Sequence, residues 1–309
     1  MFLENLTTRA FAVFTVILAF AALLIVWGSP AYAETLAPQA VAAAPVLAAV
    51  APAASVAAVE NADAAGKDIF AKTPCSRPKS VDHFRNTLPH TASLLNEGKP
   101  LTIVALGSSS TAGAGATSPA FHYPSRLADE LRKKFPRSQI TMINRGVNGE
   151  DTDRMMARLD AAVLQEKPDL VLWQFGVNGL LRDQNLDTNV AVAQQGVERI
   201  KASGADVVLV DAQYVPRVLA KPDAKKLMTL MSDMAERAHV ALFPRFEVMR
   251  HWYEDKALGF ETFSIADGLH LNDWGYSCVA HVMGEMIEDT VTRARNIKER
   301  PLSATLHPM

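Results

Sequence analysis

Three consecutive serines, Ser108 to Ser110, directly follow the apolar segment LTIVALG at residues 101–107. A glycine after a strand allows the chain to turn sharply, and a serine at such a turn can present its hydroxyl above the edge of a sheet. Ordinary loops between a strand and a helix are also rich in Gly and Ser, so this segment alone does not establish a nucleophile. It has no lysine to complete a phosphate-binding loop and lacks the third glycine of a dinucleotide-binding motif, which argues against both kinds of nucleotide site.

A histidine that could activate a serine hydroxyl lies near the end of the chain, in the segment IADGLHLNDWGY. Asp267 comes three residues before His270, and a carboxylate there can hold one ring nitrogen while the other accepts a proton. A serine hydroxyl is a poor nucleophile at neutral pH without such a base, and an imidazole with an unperturbed pKa of about 6.5 suits that task. The pair therefore predicts a general base and the residue that orients it.

Two further segments offer donors for a developing negative charge. NRGVNGEDT contains Gly149, whose backbone N–H can remain open to a ligand, and QFGVNG contains Asn178, whose amide carries two N–H donors. Preorganised donors of this kind stabilise the oxyanion that forms when a nucleophile attacks a carbonyl. Each segment alone could be an ordinary turn, but together with the serine, histidine and aspartate they complete the parts of an acyl-transfer site.

The elements that must position these residues alternate regularly along the chain. Short apolar segments rich in β-branched residues predict strands buried on both faces, and segments with apolar residues three and four positions apart predict helices between them. Repeated strand–helix units favour a parallel sheet covered by helices on both sides, which is an α/β fold whose ligands bind at the carboxyl ends of the strands. The predicted strands are residues 101–107, 139–146, 169–176, 205–212 and 239–245.

The composition and the N-terminal segment indicate where the protein works. With 309 residues, 49% hydrophobic residues, 21% charged residues and a net charge of −2, the chain predicts one sizeable globular domain with appendages and no nucleic-acid partner. An apolar run at residues 10–27, followed by Gly28-Ser29-Pro30 and a small-x-small pattern ending at Ala33, is typical of an export signal. Because the run is also just long enough to span a bilayer, an uncleaved membrane tether is the alternative.

The expected organisation therefore has four parts. Residues 1–33 are the signal peptide or anchor, 34–66 an Ala/Pro-rich linker that cannot build a core, 67–297 the folded domain and 298–309 a C-terminal tail. Either fate of the first segment places the domain outside the cytoplasm, in the periplasm or secreted, or anchored to the inner membrane. In such an oxidising compartment we expect Cys75 and Cys278 to form a disulfide, with two separate buried thiols as the alternative.

The four motif segments occur in an order and spacing that resembles the SGNH hydrolases, also called GDSL esterases. The corresponding blocks are Gly107 to Ser109, the NGED segment, Gly176 to Asn178, and Asp267 to His270, and the resemblance covers roughly residues 100–285. It implies a flavodoxin-like three-layer α/β/α sandwich with a parallel sheet of about five strands in the order 2-1-3-4-5. It also implies ester hydrolysis through a covalent acyl-enzyme.

By position, the resemblance implies Ser109 as the nucleophile, although Ser108 and Ser110 flank it, with His270 as the general base and Asp267 as its orienter. The implied oxyanion hole consists of the backbone N–H groups of Ser109 and Gly149 and the amide of Asn178.

Two positions depart from the pattern of the family. Ser108 stands where the first block usually has Asp, and Gly179 stands where an Asp usually follows the third-block Asn. Neither position performs the acyl chemistry, so we expect altered loop support and pocket shape with activity retained.

Several other residues are of types that can contact a substrate or a metal. His122 and Tyr123 after the first loop are candidates to line the substrate pocket, but a role at the start of a helix is the favoured interpretation for both. Tyr214 at the end of the fourth strand is expected to contact the substrate. His281 is interpreted as a packed core histidine. The remaining histidines show no paired metal-ligand spacing, so we expect no metal, and the chemistry requires no cofactor.

The sequence therefore predicts an exported serine esterase that hydrolyses small acyl esters, with acetyl groups on carbohydrate as the substrates expected by analogy. An acyltransferase that moves acyl groups between glycan hydroxyls would use the same residues. A non-catalytic, envelope-tethered carbohydrate-binding module that keeps the fold is the third reading.

Overall fold

The computed structural model describes residues 69–299, apart from the side chain of Glu299. The expected signal or anchor at 1–33 and the linker at 34–66 lie outside the described residues, as does the expected tail beyond Glu299. Within the described part of the chain, no helix is both long enough and apolar enough to cross a membrane.

A parallel sheet forms the centre of the domain. Its strands are β1 (Leu101–Gly107), β2 (Ile140–Gly146), β3 (Leu170–Gln174), β4 (Asp206–Val210) and β5 (Ala241–Phe243). They lie in the order β2-β1-β3-β4-β5, which confirms the predicted topology. The chain passes from one side of β1 to the other between β2 and β3, so the loops after these three strands border the switch point where α/β sheets bind ligands.

Helices cover both faces of this sheet. They are α1 (Pro89–Glu97), α2 (Ser109–Ala112), α3 (Tyr123–Lys134), α4 (Thr152–Ala157), α5 (Leu159–Ala162), α6 (Val177–Leu181), α7 (Leu186–Ala202), α8 (Pro216–Leu219), α9 (Ala224–Ala238), α10 (Arg245–Arg250), α11 (Phe260–Phe263) and α12 (Asp273–Glu299), with a 3-10 turn at Leu164–Glu166 and a π-helical turn at His251–Asp255. In one layer α12 packs against α1 and α3, and in the other α7 packs against α4 and α9. The domain is therefore a three-layer α/β sandwich.

The strands are buried because helices pack on both of their faces. Leu101, Ile103 and Leu106 of β1 are fully buried, as the continuous apolar pattern predicts. Trp173 of β3 is also fully buried and reaches Gly196 of α7, where a Cβ atom would lie 2.4 Å from the indole ring. Only glycine at position 196 lets the helix approach the sheet this closely, since any side chain would displace the indole.

The start of the described chain is attached to its last helix. Cys75 and Cys278 form the predicted disulfide, and the indole nitrogen of Trp274 donates to the Thr73 carbonyl at 2.9 Å. The indole of Trp252 similarly donates to the Ser76 carbonyl at 2.7 Å. Because the bridge joins residues 203 positions apart, it removes much chain entropy from the unfolded state, and such bridges stabilise proteins by about 2 to 4 kcal/mol.

His281 on α12 belongs to a half-buried ion cluster and is not the packed core histidine that the sequence suggested. Its Nδ1 lies 3.4 Å from Glu130 Oε2 on α3, and its Nε2 lies 3.4 Å from Glu285 Oε1 one turn along α12. Arg77 Nε contacts the same Glu285 carboxylate at 3.0 Å. Hydrogen bonds to Glu130 and Glu285 outweigh burial and raise the pKa of His281 to about 9. The imidazole is therefore charged at neutral pH and links α3 to α12.

This raised pKa makes stability depend on pH in a defined direction. The folded-state pKa of His281 lies above its unfolded value of about 6.5. The cluster therefore contributes its full stabilisation below about pH 6.5 and loses that contribution as the pH rises through about 9. We expect the thermal midpoint to fall less between about pH 7 and pH 10 in His281→Gln than in wild type, as measured by circular dichroism. The partly exposed His83 lies outside this cluster, so His83→Gln should retain the wild-type drop. An identical drop in His281→Gln would contradict the prediction.

Candidate active site

The three serines after β1 differ in exposure. Ser108 and Ser110 are 4% and 3% exposed, whereas Ser109, the first residue of α2, is half-buried. Ser109 is therefore the serine of the three whose side chain can meet a substrate from solvent. It also holds the position that the family resemblance indicates for a nucleophile.

Two glycines allow α2 to lie directly over the ends of β1 and β2. A Cβ atom at Gly107 would lie 2.2 Å from Thr111 Oγ1, and one at Gly146 would lie 2.1 Å from the backbone nitrogen of Ala112. Nonbonded atoms do not approach this closely, so a larger residue at either position would push the helix away from the sheet. The glycines thereby hold Ser109 close to the sheet edge.

Gln174, the last residue of β3, holds the turn that precedes Ser109. Its Oε1 accepts hydrogen bonds from the backbone nitrogen of Ser108 at 3.0 Å and from Ser108 Oγ at 2.9 Å. Gln174 is 1% exposed, so these bonds form away from water. The serine that replaces the usual Asp of the first block is thus matched to this partner, because a hydroxyl can donate to an amide oxygen and a carboxylate cannot.

The imidazole of His270 lies between Ser109 and Asp267. His270 Nε2 is 2.8 Å from Ser109 Oγ, and its Nδ1 is 2.5 Å from Asp267 Oδ2. Asp267 Oδ1 also accepts the backbone N–H groups of Leu269 at 2.9 Å and His270 at 3.0 Å. Burial opposes ionisation of Asp267, but hydrogen bonds from His270 and Leu269 outweigh it and lower the pKa of the carboxyl. An ionised Asp267 accepts the proton of Nδ1 and leaves the lone pair of Nε2 facing the serine hydroxyl.

Close contacts join the loop after α2 to the segment around His270. Gly115 has a φ of 93°, and a Cβ atom there would lie 2.3 Å from the Leu271 carbonyl oxygen. The hydroxyl of Tyr276 donates to the Ala114 carbonyl at 2.6 Å. The two loops that carry Ser109 and His270 are therefore in direct contact with each other.

A buried network at the ends of β4 and β5 holds the backbone between Asp267 and His270. Gln213 Nε2 donates to the Leu269 carbonyl at 3.0 Å, and Gln213 Oε1 accepts from Arg245 Nη2 at 2.8 Å. Arg245 Nε donates to the Asp211 carbonyl at 2.9 Å, and the whole Arg245 residue is buried. A buried guanidinium needs such partners, because an unpaired charge away from water is costly. Arg245 and Gln213 therefore fix the loop that carries the imidazole.

The predicted donors of an oxyanion hole lie on either side of β1. Gly149, with a φ of 75°, follows β2, and Asn178 lies in α6 after β3. Asn178 Nδ2 donates to the Glu150 carbonyl at 2.7 Å, which ties the two loops together. Since an amide nitrogen carries two hydrogens, this bond orients the amide and leaves the second hydrogen for a ligand.

An ion pair supports the loop that contains Gly149. The Glu150 side chain is bound by Arg158, whose Nε lies 2.9 Å and 2.8 Å from the two carboxylate oxygens. Arg158 Nη2 also donates to the Arg145 carbonyl at the end of β2 at 2.7 Å. Glu150 is 8% exposed, so this two-point contact is largely shielded from water and holds the loop against the sheet.

The second departure from the family pattern also has a steric explanation. A Cβ atom at Gly179 would lie 2.9 Å from Asn189 Nδ2 and 3.0 Å from Gln184 Oε1. Those two side chains are hydrogen-bonded to each other at 3.3 Å. They occupy the space into which an Asp side chain at position 179 would extend.

The structure corrects part of the expected substrate pocket. Tyr123 is the first residue of α3 and is fully buried, with its hydroxyl 3.1 Å from Thr111 Oγ1, so it has the role at a helix start and does not line the pocket. His122 caps α3, and its Nδ1 accepts the backbone N–H of Ser125 at 3.2 Å, which agrees with the favoured role at a helix start. Tyr214 is half-buried beyond β4 and lines an open cleft.

Sequence reasoning missed Gln174, Gln213 and Arg245. Each is a polar residue at or just beyond the end of an otherwise apolar strand segment, and each is at most 1% exposed. That position was the available signal, because a buried polar side chain must find a partner. The identity of the partner depends on the neighbouring strands.

The match between Ser108 and Gln174 can be tested by restoring the Asp that is usual in the family. We expect Ser108→Asp to destabilise the fold by about 1 to 3 kcal/mol, because the buried carboxylate would face the Gln174 oxygen. Flipping the Gln174 amide would satisfy the carboxylate but would turn its NH2 group toward the Ser108 N–H. Ser108→Ala removes one neutral hydrogen bond and should cost about 0.5 to 1.5 kcal/mol. Urea unfolding measures both, and a Ser108→Asp protein as stable as wild type would contradict the prediction.

Comparison with known proteins shows that the chain is similar to esterases. An arylesterase of Vibrio mimicus is 32% identical over 124 residues, which cover 40% of this chain and 60% of that protein. Thioesterase 1/protease 1/lysophospholipase L1 of Escherichia coli K12 is 23% identical over 194 residues, or 62% of this chain and 85% of that protein. The chain thus matches less than two thirds of the arylesterase.

Solved structures share the fold at lower sequence identity. A two-domain esterase active on acetylated mannans superposes with a TM-score of 0.61 and 20% identity, covering 75% of this chain and 61% of that one. An acetylxylan esterase from Geobacillus stearothermophilus has a TM-score of 0.53 and 19% identity, covering 60% of this chain and 94% of that one. The resemblance to SGNH hydrolases is therefore confirmed at the level of the fold. The model of the non-GDSL lipase-like family matches residues 74–293, a span that contains all four motif blocks, and the chain therefore belongs to the non-GDSL lipase-like family.

Proposed function

We propose that this protein is a serine esterase that hydrolyses small acyl esters with Ser109 as the nucleophile. The observation that carries the proposal is the continuous chain of contacts from Ser109 Oγ to His270 Nε2 at 2.8 Å and from His270 Nδ1 to Asp267 Oδ2 at 2.5 Å. These three groups meet at the carboxyl edge of the sheet, beside the loops of Gly149 and Asn178. A carbohydrate-binding module without catalysis would have no need for this alignment.

The proposed reaction proceeds in two halves. Ser109 Oγ attacks the ester carbonyl carbon while His270 Nε2 takes the hydroxyl proton, and the negative charge moves to the carbonyl oxygen. Collapse of this tetrahedral intermediate breaks the bond to the alcohol, which leaves with the proton from His270. Water then attacks the acyl-enzyme with His270 again as the base, and the carboxylic acid is released. Asp267 stays ionised and stabilises the imidazolium in both halves.

The oxyanion formed in each half needs donors that are in place beforehand. The candidates are the backbone N–H groups of Ser109 and Gly149 and the second amide hydrogen of Asn178. The bond from Asn178 to the Glu150 carbonyl supports this assignment, because it fixes the amide before any substrate binds. Preorganised donors cost no reorganisation at the moment of reaction, which is the source of their effect on rate.

The substrate class is proposed from the relatives and the cellular context. One structural neighbour is described as an esterase active on acetylated mannans and another as an acetylxylan esterase. These descriptions support acetyl groups on carbohydrate as the substrate. The N-terminal segment at residues 1–33 and the disulfide of Cys75 and Cys278 support an exported protein, since disulfides persist in oxidising compartments. Retention of residues 10–27 as a membrane tether is the other outcome for the same segment.

Ser109→Ala tests the nucleophile directly. We expect it to lower kcat on 4-nitrophenyl acetate by at least about a thousandfold and to abolish labelling by a fluorophosphonate probe, because no other hydroxyl can take the place of Ser109 Oγ beside His270. Ser110→Ala changes the neighbouring buried serine and should still be labelled. Full esterase activity in folded Ser109→Ala would refute the proposal.

Free acetate released from an acetylated glycan identifies hydrolysis, whereas acetyl transfer to an added glycan would identify an acyltransferase.

Asn178 variants test the oxyanion hole. We expect Asn178→Ala to lower kcat on the same ester by on the order of a hundredfold or more with little change in KM, since the lost donor acts mainly in the transition state. Asn178→Asp keeps the side-chain volume but removes both N–H donors, so it should lose a similar factor. A loss confined to KM in both variants would instead indicate a role in binding the ground state.

A further inference from the structure

An open cleft of about 760 Å³ lies at the same edge of the sheet as the proposed catalytic centre. Tyr214 beyond β4 and Phe246 beyond β5 form part of its wall. Leu219, which lines the cleft, belongs to α8, and the backbone nitrogen of Arg217 in the same helix donates to the Gly268 carbonyl at 3.0 Å. Gln213, which holds the Leu269 carbonyl, is the residue next to Tyr214. The segment that lines this side of the cleft therefore contacts the loop between Asp267 and His270.

Two aromatic rings in the wall of the cleft belong to a larger aromatic cluster. The rings of Tyr214 and Phe246 are 5.1 Å apart in an edge-to-face arrangement. Behind them Tyr253 stacks on Phe260 with centroids 4.3 Å apart, and Tyr214 lies 5.9 Å from Tyr253. Tyr253 is 40% exposed, so this cluster presents aromatic surface to solvent. The negative faces of aromatic rings attract the partly positive C–H groups that cover one face of a sugar ring.

The rim of the cleft is polar and charged. Glu254 Oε1 accepts from the Tyr214 hydroxyl at 2.7 Å, and Glu254 Oε2 accepts from Arg250 Nη1 at 2.7 Å. Lys225, an exposed residue, also lines the cleft. An acyl chain or another purely apolar ligand would bury these groups without offering them hydrogen bonds, which is costly. A sugar has hydroxyls for the rim and a C–H face for the rings.

We infer that this cleft binds sugar rings of the alcohol part of the ester, next to the ring that carries the acyl group. The inference rests on the proposed esterase function and narrows its substrate class to acylated oligosaccharides. The volume of the cleft lies within the range of about 300 to 1,000 Å³ that is usual for ligand sites in proteins. Tyr214, which sequence reasoning placed in the substrate pocket, would thus contact the glycan and not the acyl group.

The test compares two substrates on matched variants. The substrates are acetylated xylo-oligosaccharides or manno-oligosaccharides on one side and 4-nitrophenyl acetate, which has no sugar, on the other. We expect Tyr214→Leu and Arg250→Gln to lower kcat/KM on the oligosaccharides by about tenfold more than on 4-nitrophenyl acetate, chiefly through KM. Arg199→Gln is the matched control. Arg199 is 42% exposed and ion-paired, as Arg250 is at 40%, but it lies on α7. The ratio of kcat/KM on the two substrates should therefore be the same in Arg199→Gln as in wild type.

The outcomes separate this inference from the proposed function. Wild type that cleaves neither substrate would overturn the esterase proposal itself. Wild type that cleaves 4-nitrophenyl acetate but no acetylated oligosaccharide, or folded Arg250→Gln and Tyr214→Leu proteins with unchanged substrate ratios, would overturn the cleft assignment alone. Should Tyr214→Leu fail to fold, Arg250→Gln still decides the question, since it replaces an exposed side chain.

Discussion

The hydrogen bond between Ser109 and His270 is the contact on which the proposed chemistry depends. It joins side chains that are 161 positions apart, one at the end of the first strand and the other before the last helix. Nothing local to either residue holds them at that distance, so the fold must do so. Contacts of Gly115 with Leu271 and of Tyr276 with Ala114 bring the two loops together, and the disulfide fastens the helix that follows the His270 loop.

The buried network of Arg245 and Gln213 gives the His270 loop its support from below. A fully buried arginine is costly unless its donors find partners, and here the Asp211 carbonyl accepts from Nε and Gln213 Oε1 accepts from Nη2. The amide nitrogen of Gln213 in turn donates to the Leu269 carbonyl. The imidazole is thus positioned through backbone held by the ends of β4 and β5, and the same two strand ends form the wall of the proposed sugar cleft. Loop support and substrate contact are therefore built from neighbouring residues.

The departures from the family pattern are compensated within the same shell of residues. Ser108 replaces an acidic residue and is paired with Gln174, and Gly179 leaves room for the contact of Gln184 with Asn189. Both changes exchange charged groups near the nucleophile for neutral hydrogen bonds. Ser109, His270 and Asp267 remain in hydrogen-bond contact with these two neutral residues nearby.

The sequence by itself determined the parallel α/β class and the strand limits to within a few residues, and the resemblance of its short motifs to SGNH hydrolases implied the strand order and proposed Ser109, Asp267 and His270 as the catalytic residues. Apolar periodicity and short motifs are local signals. They predict strands and tight turns well because these elements depend mainly on nearby residues. Only the tertiary structure decided the partners of Gln174, Gln213 and Arg245, the burial of Tyr123 and the charged state of His281. Those outcomes depend on which groups from distant segments meet in a low-dielectric interior, where a polar atom must find a partner, and that information is not contained in any one segment of the chain.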